Sequence, residues 1–325
     1  MNKKQDSTRR SGLKGCVTAR LDPKPRLDPK PTNVLHRFRT VNRAFGTLSG
    51  AAKDNLYQLE KGIIFTSPWV VTHATVRFHG MILLSAQALP FTVRVGETTT
   101  TYEAVAIKPL TQRGLCAKNV QLISVHVKPE HPHFRAFRAI SAPGLLRLPR
   151  KAFAHLDASL ERAYRGELTI DEANELLEDV IAATLSFIPK AKPNDPRIER
   201  ALDLLMNDSH HSLAALALTL GLSYHRMSHL FKESMGIPLR TYLLARKVQK
   251  MSSYQGSGLP LTDIAHLSGF TDTAHMSRVM RKFHGAPPAY FFHSDHVRLF
   301  CWKHPPSASY KARSHRALFG DAVWT

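Results

Sequence analysis

The chain has 325 residues, 45 Lys and Arg against 25 Asp and Glu, and a formal net charge of +20. The length suffices for two or three domains, and an apolar content of 43% excludes a wholly disordered chain. The charge points to a polyanion, above all nucleic acid, while three scattered cysteines, Cys16, Cys116 and Cys301, exclude a thiolate metal cluster and fit a reducing cytoplasm.

Residues 1–33 carry nine Lys or Arg against three Asp and contain the tandem hexapeptide RLDPKPRLDPKP, Arg20 to Pro31. Its four prolines forbid a helix, so this segment reads as a disordered basic tail. The opening MNKKQDSTRRSGLKG has no apolar stretch behind its charges and is not a signal peptide. The longest apolar runs, such as GMILLSAQAL, are too short to span a bilayer. A cytoplasmic protein without membrane contact is expected.

Residues 34–148 are rich in short β-prone runs: GIIFTSPWVVTHATVRF, FTVRVGETTTTYEAVAIKP and VQLISVHVKP. Turn residues at Gly96-Glu97 and at Gly114 separate them. This predicts a small sandwich or barrel, whose mouth has room for one small ligand.

Residues 149–188 become helical, with Phe153, Leu156, Leu160 and Ala163 on one stripe. Thr169 and Glu172 form a predicted capping box. Leu177, Ile181, Leu185 and Ile188 then share a face, with Val180 and Thr184 beside them. Such a helical hairpin either covers the β domain or packs on a second subunit; the sequence leaves both open. Residues 189–195 are a linker, and Asp195 with Pro196 predicts the N-cap and first turn of a new helix.

The segment 212–290 carries nine Lys or Arg against three acids. In SLAALALTLGLSYHRMSHLFKESMG, 212–236, Leu213, Leu216 and Ala217 form the inner face of a first helix. Gly221 makes a tight joint. Ser223 is read as the cap of a second helix whose inner face is Met227, Leu230 and Phe231. The order recurs in PLTDIAHLSGFTDTAHMSRVMRKFHG, 260–285. Here Leu261, Ile264 and Ala265 precede Gly269, Thr271 is read as the cap, and Met276, Val279 and Met280 point inward. Ala265 and Gly269 keep the spacing of Ala217 and Gly221, 48 residues on. Between the units, PLRTYLLARKVQKM, 238–251, reads as one connecting helix with Tyr242, Leu243 and Val248 on a stripe. Two helix-turn-helix patterns in tandem are far more specific than one.

On these residues the segment 196–292 resembles the AraC/XylS family of transcription regulators. The resemblance implies two recognition helices entering successive major grooves. It also implies an N-terminal cupin-like sensor barrel over 34–148, dimerising helices over 149–188, RNA polymerase as a partner, and activation as the sign of control. A small-molecule effector in the barrel and a homodimer are part of the same expectation. The whole is then an α+β chain of two domains. The sequence departs from the family at Met280, where the family favours Phe, and at the leucine-poor SSYQGSG, 252–258. The tail 293–325 runs past the family's usual end and is given no role.

With the inner faces assigned, the outward residues follow. In the first recognition helix His225, Ser228 and His229 are expected to meet base edges, with Tyr224 and Arg226 nearer the phosphates and Lys232 a turn further on. In the second, Thr273, Ala274, Ser277 and Arg278 face out, and Arg281 and Lys282 are expected on phosphate. Arg278 suits a bidentate contact to guanine, worth about 1–3 kcal/mol of discrimination.

Two other chemistries compete for these residues. His225 and His229 lie one helical turn apart, as zinc ligands do, but Arg226 stands where a zinc protease needs Glu, and no third ligand follows except His210 and His211 before the helix. Among His73, His79, His126, His131 and His133 no strand-borne His-x-His with a nearby Glu appears, and EHPH, 130–133, reads as a turn. The alternative is a DNA-acting enzyme or repair protein carrying an AraC-like module. Such repair methyltransferases hold a four-cysteine zinc site that three cysteines cannot supply. No enzyme, metal or cofactor is therefore expected.

Overall fold

The computed structural model describes residues 54–190, 195–207, 213–285, 287–292 and 297–301. The tail 1–33 with its repeat, residues 191–194 of the linker, His210 and His211, and residues 302–325 lie outside the described residues.

The described residues hold nine strands in one sheet: β1 Asp54–Gln58, β2 Gly62–Thr75, β3 Gly80–Ser85, β4 Phe91–Val95, β5 Thr98–Tyr102, β6 Ala104–Ile107, β7 Arg113–Val127, β8 Leu145–Arg147 and β9 Val297–Cys301. Its order is β8-β6-β3-β7-β2-β1-β9, with the β4–β5 hairpin attached to β7. The long strands β2 and β7 pair antiparallel from Gly62↔Val127 to Thr75↔Arg113, with register shifts between Ser67 and Trp69 and between Thr72 and Thr75. Pro68 falls at the first shift, where its missing N–H breaks no ladder bond. The bends let β7 serve two layers. Its C-terminal half pairs with β3 and its N-terminal half with β4.

Alternation sorts the side chains to two faces. Met81, Leu83, Val105, Ile107, Leu115 and Leu122 pack on one face under Phe91, Val93 and Tyr102 of the hairpin. Ile82, Leu84, Ala106, Ile123 and Val125 pack on the other, under helices. The fold class is the expected one, with a double-layered, cupin-like β domain; the sheet is open, ending at β8 and β9, and its inner face is filled by side chains.

Two 3-10 helices, Phe134–Ala139 and Arg150–Leu156, lead into α1 Asp157–Arg165 and α2 Ile170–Leu185. Phe153 thus sits on the 3-10 turn before α1. The Thr169 capping box forms: Thr169 Oγ1 accepts from the Glu172 N–H at 3.2 Å and Glu172 Oε2 accepts from the Thr169 N–H at 2.8 Å. The α2 stripe, Ala173, Leu176, Leu177, Val180 and Ile181, is buried in the same core as Ile64 and Val125 of the sheet. Of the two uses left open for this stripe, the one seen is cover for the chain's own sheet.

The C-terminal part holds α3 Pro196–Asn207, α4 Leu213–Thr219, α5 Tyr224–Met235, α6 Leu239–Ser252, α7 Leu261–Leu267, α8 Thr273–His284 and α9 Pro288–Phe292. Asp195 Oδ1 accepts from the Arg197 N–H at 2.9 Å and caps α3. The core of α3–α5 and Tyr242 is continuous with the sheet–helix core. The core of α7–α9 with Ala245, Val248 and Met251 is separate, and Phe78 of the β domain reaches into it. After α9 the chain returns to the sheet, where β9 pairs in parallel with β1, Asp54↔Val297 to Gln58↔Cys301.

Candidate nucleic-acid interface

Each helix-turn-helix is set by local chemistry. In the first, Leu222 N–H donates to Ala217 O at 2.9 Å across a turn in which Gly221 takes φ 63. Ser223 Oγ then accepts from the Arg226 N–H at 3.2 Å and caps α5. In the second, Phe270 N–H donates to Ala265 O at 2.9 Å and Gly269 takes φ 78. Lys247 Nζ from α6 donates to the Gly269 carbonyl at 2.5 Å, which fixes this turn to the connecting helix.

The cap of α8 is a correction. Asp272, not Thr271, accepts from the His275 N–H, at 2.6 Å. Thr271 Oγ1 instead donates to Asp272 Oδ2 at 3.2 Å and orients the capping carboxylate. The second turn holds one residue more than the first, so the caps, Ser223 and Asp272, stand 49 positions apart while the joints Gly221 and Gly269 stand 48 apart. The carboxylate at an N-terminus is held below its usual range by that N–H bond.

Burial divides both helices by face. Met227, Leu230, Phe231 and Met235 are buried on α5, and Met276, Val279, Met280 and Phe283 on α8. Opposite them, His225, Arg226 and Lys232 are exposed, Tyr224 is 39% exposed and Ser228 is half-buried. His229 is open to solvent, and its Nδ1 lies 4.0 Å from Glu233 Oε2 one turn on. On α8, Ala274, Arg278, Arg281 and Lys282 are exposed, and Thr273 and Ser277 are half-buried. Tyr224, His225, Ser228, His229 and Lys232 match Thr273, Ala274, Ser277, Arg278 and Arg281 at a constant offset of 49. The structure thus gathers the candidate residues on the outward faces of two equivalent helices.

Behind these faces lies a seam that sequence reading did not find. Arg77 Nη2 donates to the His284 carbonyl at the end of α8, at 3.0 Å. Arg138 Nη1 donates to the Ser234 carbonyl near the end of α5. Arg135 donates from Nη1 and Nη2 to the two carboxylate oxygens of Glu199 of α3. Gln249 Nε2 reaches Glu60 O at 3.4 Å. These partners lie from 64 to 207 positions apart, so no local pattern could reveal them.

Histidines gather at this seam. His79 Nδ1 lies 3.3 Å from His126 Nδ1, and His126 Nε2 lies 2.9 Å from Ser124 Oγ. His284 packs against His79 at 6.0 Å between ring centres. Burial, then neighbouring cations, holds His79 and His126 well below the usual imidazole value and His284 at about 3. All three are neutral at physiological pH. Among the described residues no group of three His, Cys, Asp or Glu could hold a metal ion. Nor is any described helix long and apolar enough to cross a membrane.

Residues 216–294 match a family model described as a helix-turn-helix domain. The arabinose operon regulatory protein of Salmonella typhimurium (strain LT2) is 29% identical over 150 residues, which is 43% of this chain and 52% of that protein. Its Escherichia coli (strain K12) counterpart is also 29% identical over 150 residues, 43% of this chain and 50% of that protein. The match thus spans about half the length of these relatives. A crystal structure of a single-residue variant of apo ToxT from Vibrio cholerae strain SCE256 aligns with 75% of this chain and 98% of that one, at 13% identity and a TM-score of 0.48.

Proposed function

We propose that this chain, whose C-terminal part is a tandem helix-turn-helix of the AraC/XylS family, is a sequence-specific regulator of transcription acting on double-stranded DNA. One observation carries the reading: two helices of equal length, 49 residues apart, present basic and hydrogen-bonding side chains outward from buried faces of the same pattern. A helix in a major groove reads base edges with its early turns and meets phosphate at its flanks. His225, Ser228 and His229 take the first role on α5, and Thr273, Ala274, Ser277 and Arg278 take it on α8. Tyr224, Arg226, Lys232, Arg281 and Lys282 meet the backbone.

Activation, a homodimer, RNA polymerase as a partner and a cytoplasmic setting belong to the same proposal. So does a small-molecule effector. Such an effector would act through the β domain, and control requires only that it bind one arrangement of the β domain and the helices more tightly. The proposed regulator performs no chemistry on DNA.

The test is binding of the full chain to a random double-stranded library at about 0.15 M salt, where non-specific contacts are weakened. Enrichment of one bipartite sequence is expected. Binding with no sequence preference, or no binding, would overturn the reading.

A further inference from the structure

We infer that Arg77 and Arg138 are positioning residues through which the β domain sets the relation of the two recognition helices to each other. The inference rests on the DNA-binding reading of α5 and α8. It concerns how far apart those helices read, not what they read.

The two helices end alike. Each closes on a glycine in the left-handed region, Gly236 with φ 75 and Gly285 with φ 76. Each glycine N–H bonds one carbonyl of the last turn, Lys232 O and Arg281 O. Other carbonyls of a last turn have no partner within the helix, and they carry the negative end of its dipole. At each end one arginine of the β domain supplies a charged donor. Arg138 donates to Ser234 O and, at 3.5 Å, to Glu233 O of α5. Arg77 donates to His284 O of α8 at 3.0 Å. The approach is close at both caps. A Cβ at Gly236 would stand 3.0 Å from Arg138 Cβ, and one at Gly285 would stand 3.6 Å from Arg77 Nη2.

Both arginines stand on rigid supports. Arg138 rides on the 3-10 helix whose Phe134 and Phe137 are fully buried. Arg77 precedes Phe78, which is 1% exposed and packs on Phe283 of α8 with ring centres 5.0 Å apart. The Arg77 carbonyl also accepts from the Leu110 N–H at 2.7 Å.

The β domain adds a second frame to the one that α6 provides. The two units do not share a core: the first merges with the sheet and α2, while the second forms its own cluster around Phe78. Between α6 and α7 the chain passes through Gly256 and Gly258, with φ 77 and 69 and open space around the Gly256 Cα. The connecting helix α6 gives Tyr242 to the first core and Ala245, Val248 and Met251 to the second, so the units are tied near α6 while the far ends of α5 and α8 meet the β domain. The arginines, one from the β2–β3 connection and one from the 3-10 helix, join both recognition helices at corresponding ends to the β domain.

The experiment uses a site selected by the wild-type full chain and the same site with one base pair inserted between its halves. The insertion moves the second half by about 3.4 Å and rotates it by about 34°. Wild type is expected to lose about ten-fold or more in affinity on the insertion, and the double variant Arg77→Ala, Arg138→Ala only about three-fold. Arg77→Lys and Arg138→Lys keep the charge and a donor, and should restore most of the wild-type ratio. A merely structural role would weaken both sites alike and leave the ratio unchanged. A double variant as sensitive to spacing as wild type overturns the inference. Should the double variant not fold, the single alanine variants are read by the same ratio, and a ratio that moves in neither overturns the inference equally. If wild type selects no site, the DNA-binding reading itself falls, a distinct result.

Discussion

The Tyr290 hydroxyl of α9 donates to Asp54 Oδ2 of β1 at 3.2 Å, joining residues 236 positions apart. Asp54 is 2% exposed, and burial lifts its carboxyl to about 7 in spite of hydrogen bonds from Ser67 and Tyr290. The folded chain therefore keeps a proton that the unfolded chain releases near 3.8. Below about pH 4 both states are protonated and the contribution is full; it is lost as pH rises towards 7 and is constant above. The interval caps the effect at about 4 kcal/mol, and relaxation around the carboxylate should leave about 1–3. Asp54→Asn keeps an acceptor for Tyr290 without the charge. Its melting temperature should exceed that of wild type at pH 8 and match it near pH 4. Parallel melting profiles across that range would refute the assignment.

His229 and Arg278 hold the same place on their helices, so their loss should be felt in different halves of the site. Arg278→Ala should cost about ten- to a hundred-fold on the selected sequence and relax its preference for guanine at one position. His229→Ala should alter preference in the other half only. Repeating the selection with each variant reads this directly. Unchanged sequence preferences in both would mean that the outward faces are assigned wrongly.

Much of this is legible in the sequence because it is local. The tandem helix-turn-helix rests on short-range spacing, and every apolar position named for its inner faces is buried or half-buried. The Thr169 capping box and the Asp195 cap are likewise read from three or four residues. The cap of α8 is ambiguous in sequence because Thr271 and Asp272 are both good caps, and only the extra residue in the turn decides between them. Strand β3 is buried at every position, so it shows no alternation to find. Strand β9 and the arginine clamps depend on where distant segments meet, which no window of sequence contains.

Lys232 and Lys282 are exposed, and the contact proposed for each is with phosphate rather than base. Each phosphate contact releases counterions, so its loss should lower the slope of log affinity against log salt by about 1. Lys232→Ala and Lys282→Ala should therefore weaken the selected site and a random duplex by the same factor. Titrations between about 0.05 and 0.2 M salt separate this from base reading. A variant that lost discrimination while keeping the wild-type slope would show its lysine to be a base contact.

Phe300 of β9 stacks on Tyr57 of β1, with ring centres 4.5 Å apart and planes 12° from parallel. Without β9, β1 would be the sheet's edge, with a row of open N–H and C=O groups; with it, all five β1 residues are buried. Arg298 adds a bond from Nη1 to the Arg165 carbonyl at 3.1 Å, but it is exposed and should contribute less. Phe300→Ala removes the stacking, worth about 0.5–1.5 kcal/mol, together with the burial of the ring's inner face. The melting temperature should fall by several degrees, at about 2–4 °C per kcal/mol for a protein of this order of size. Arg298→Ala should barely move it. The sharper readout is hydrogen exchange: the amides of Asp54–Gln58 should exchange faster in Phe300→Ala, while those in the middle of β7, paired on both sides, keep their protection. Equal exchange across β1 in variant and wild type would mean that the tail does not hold this edge in solution.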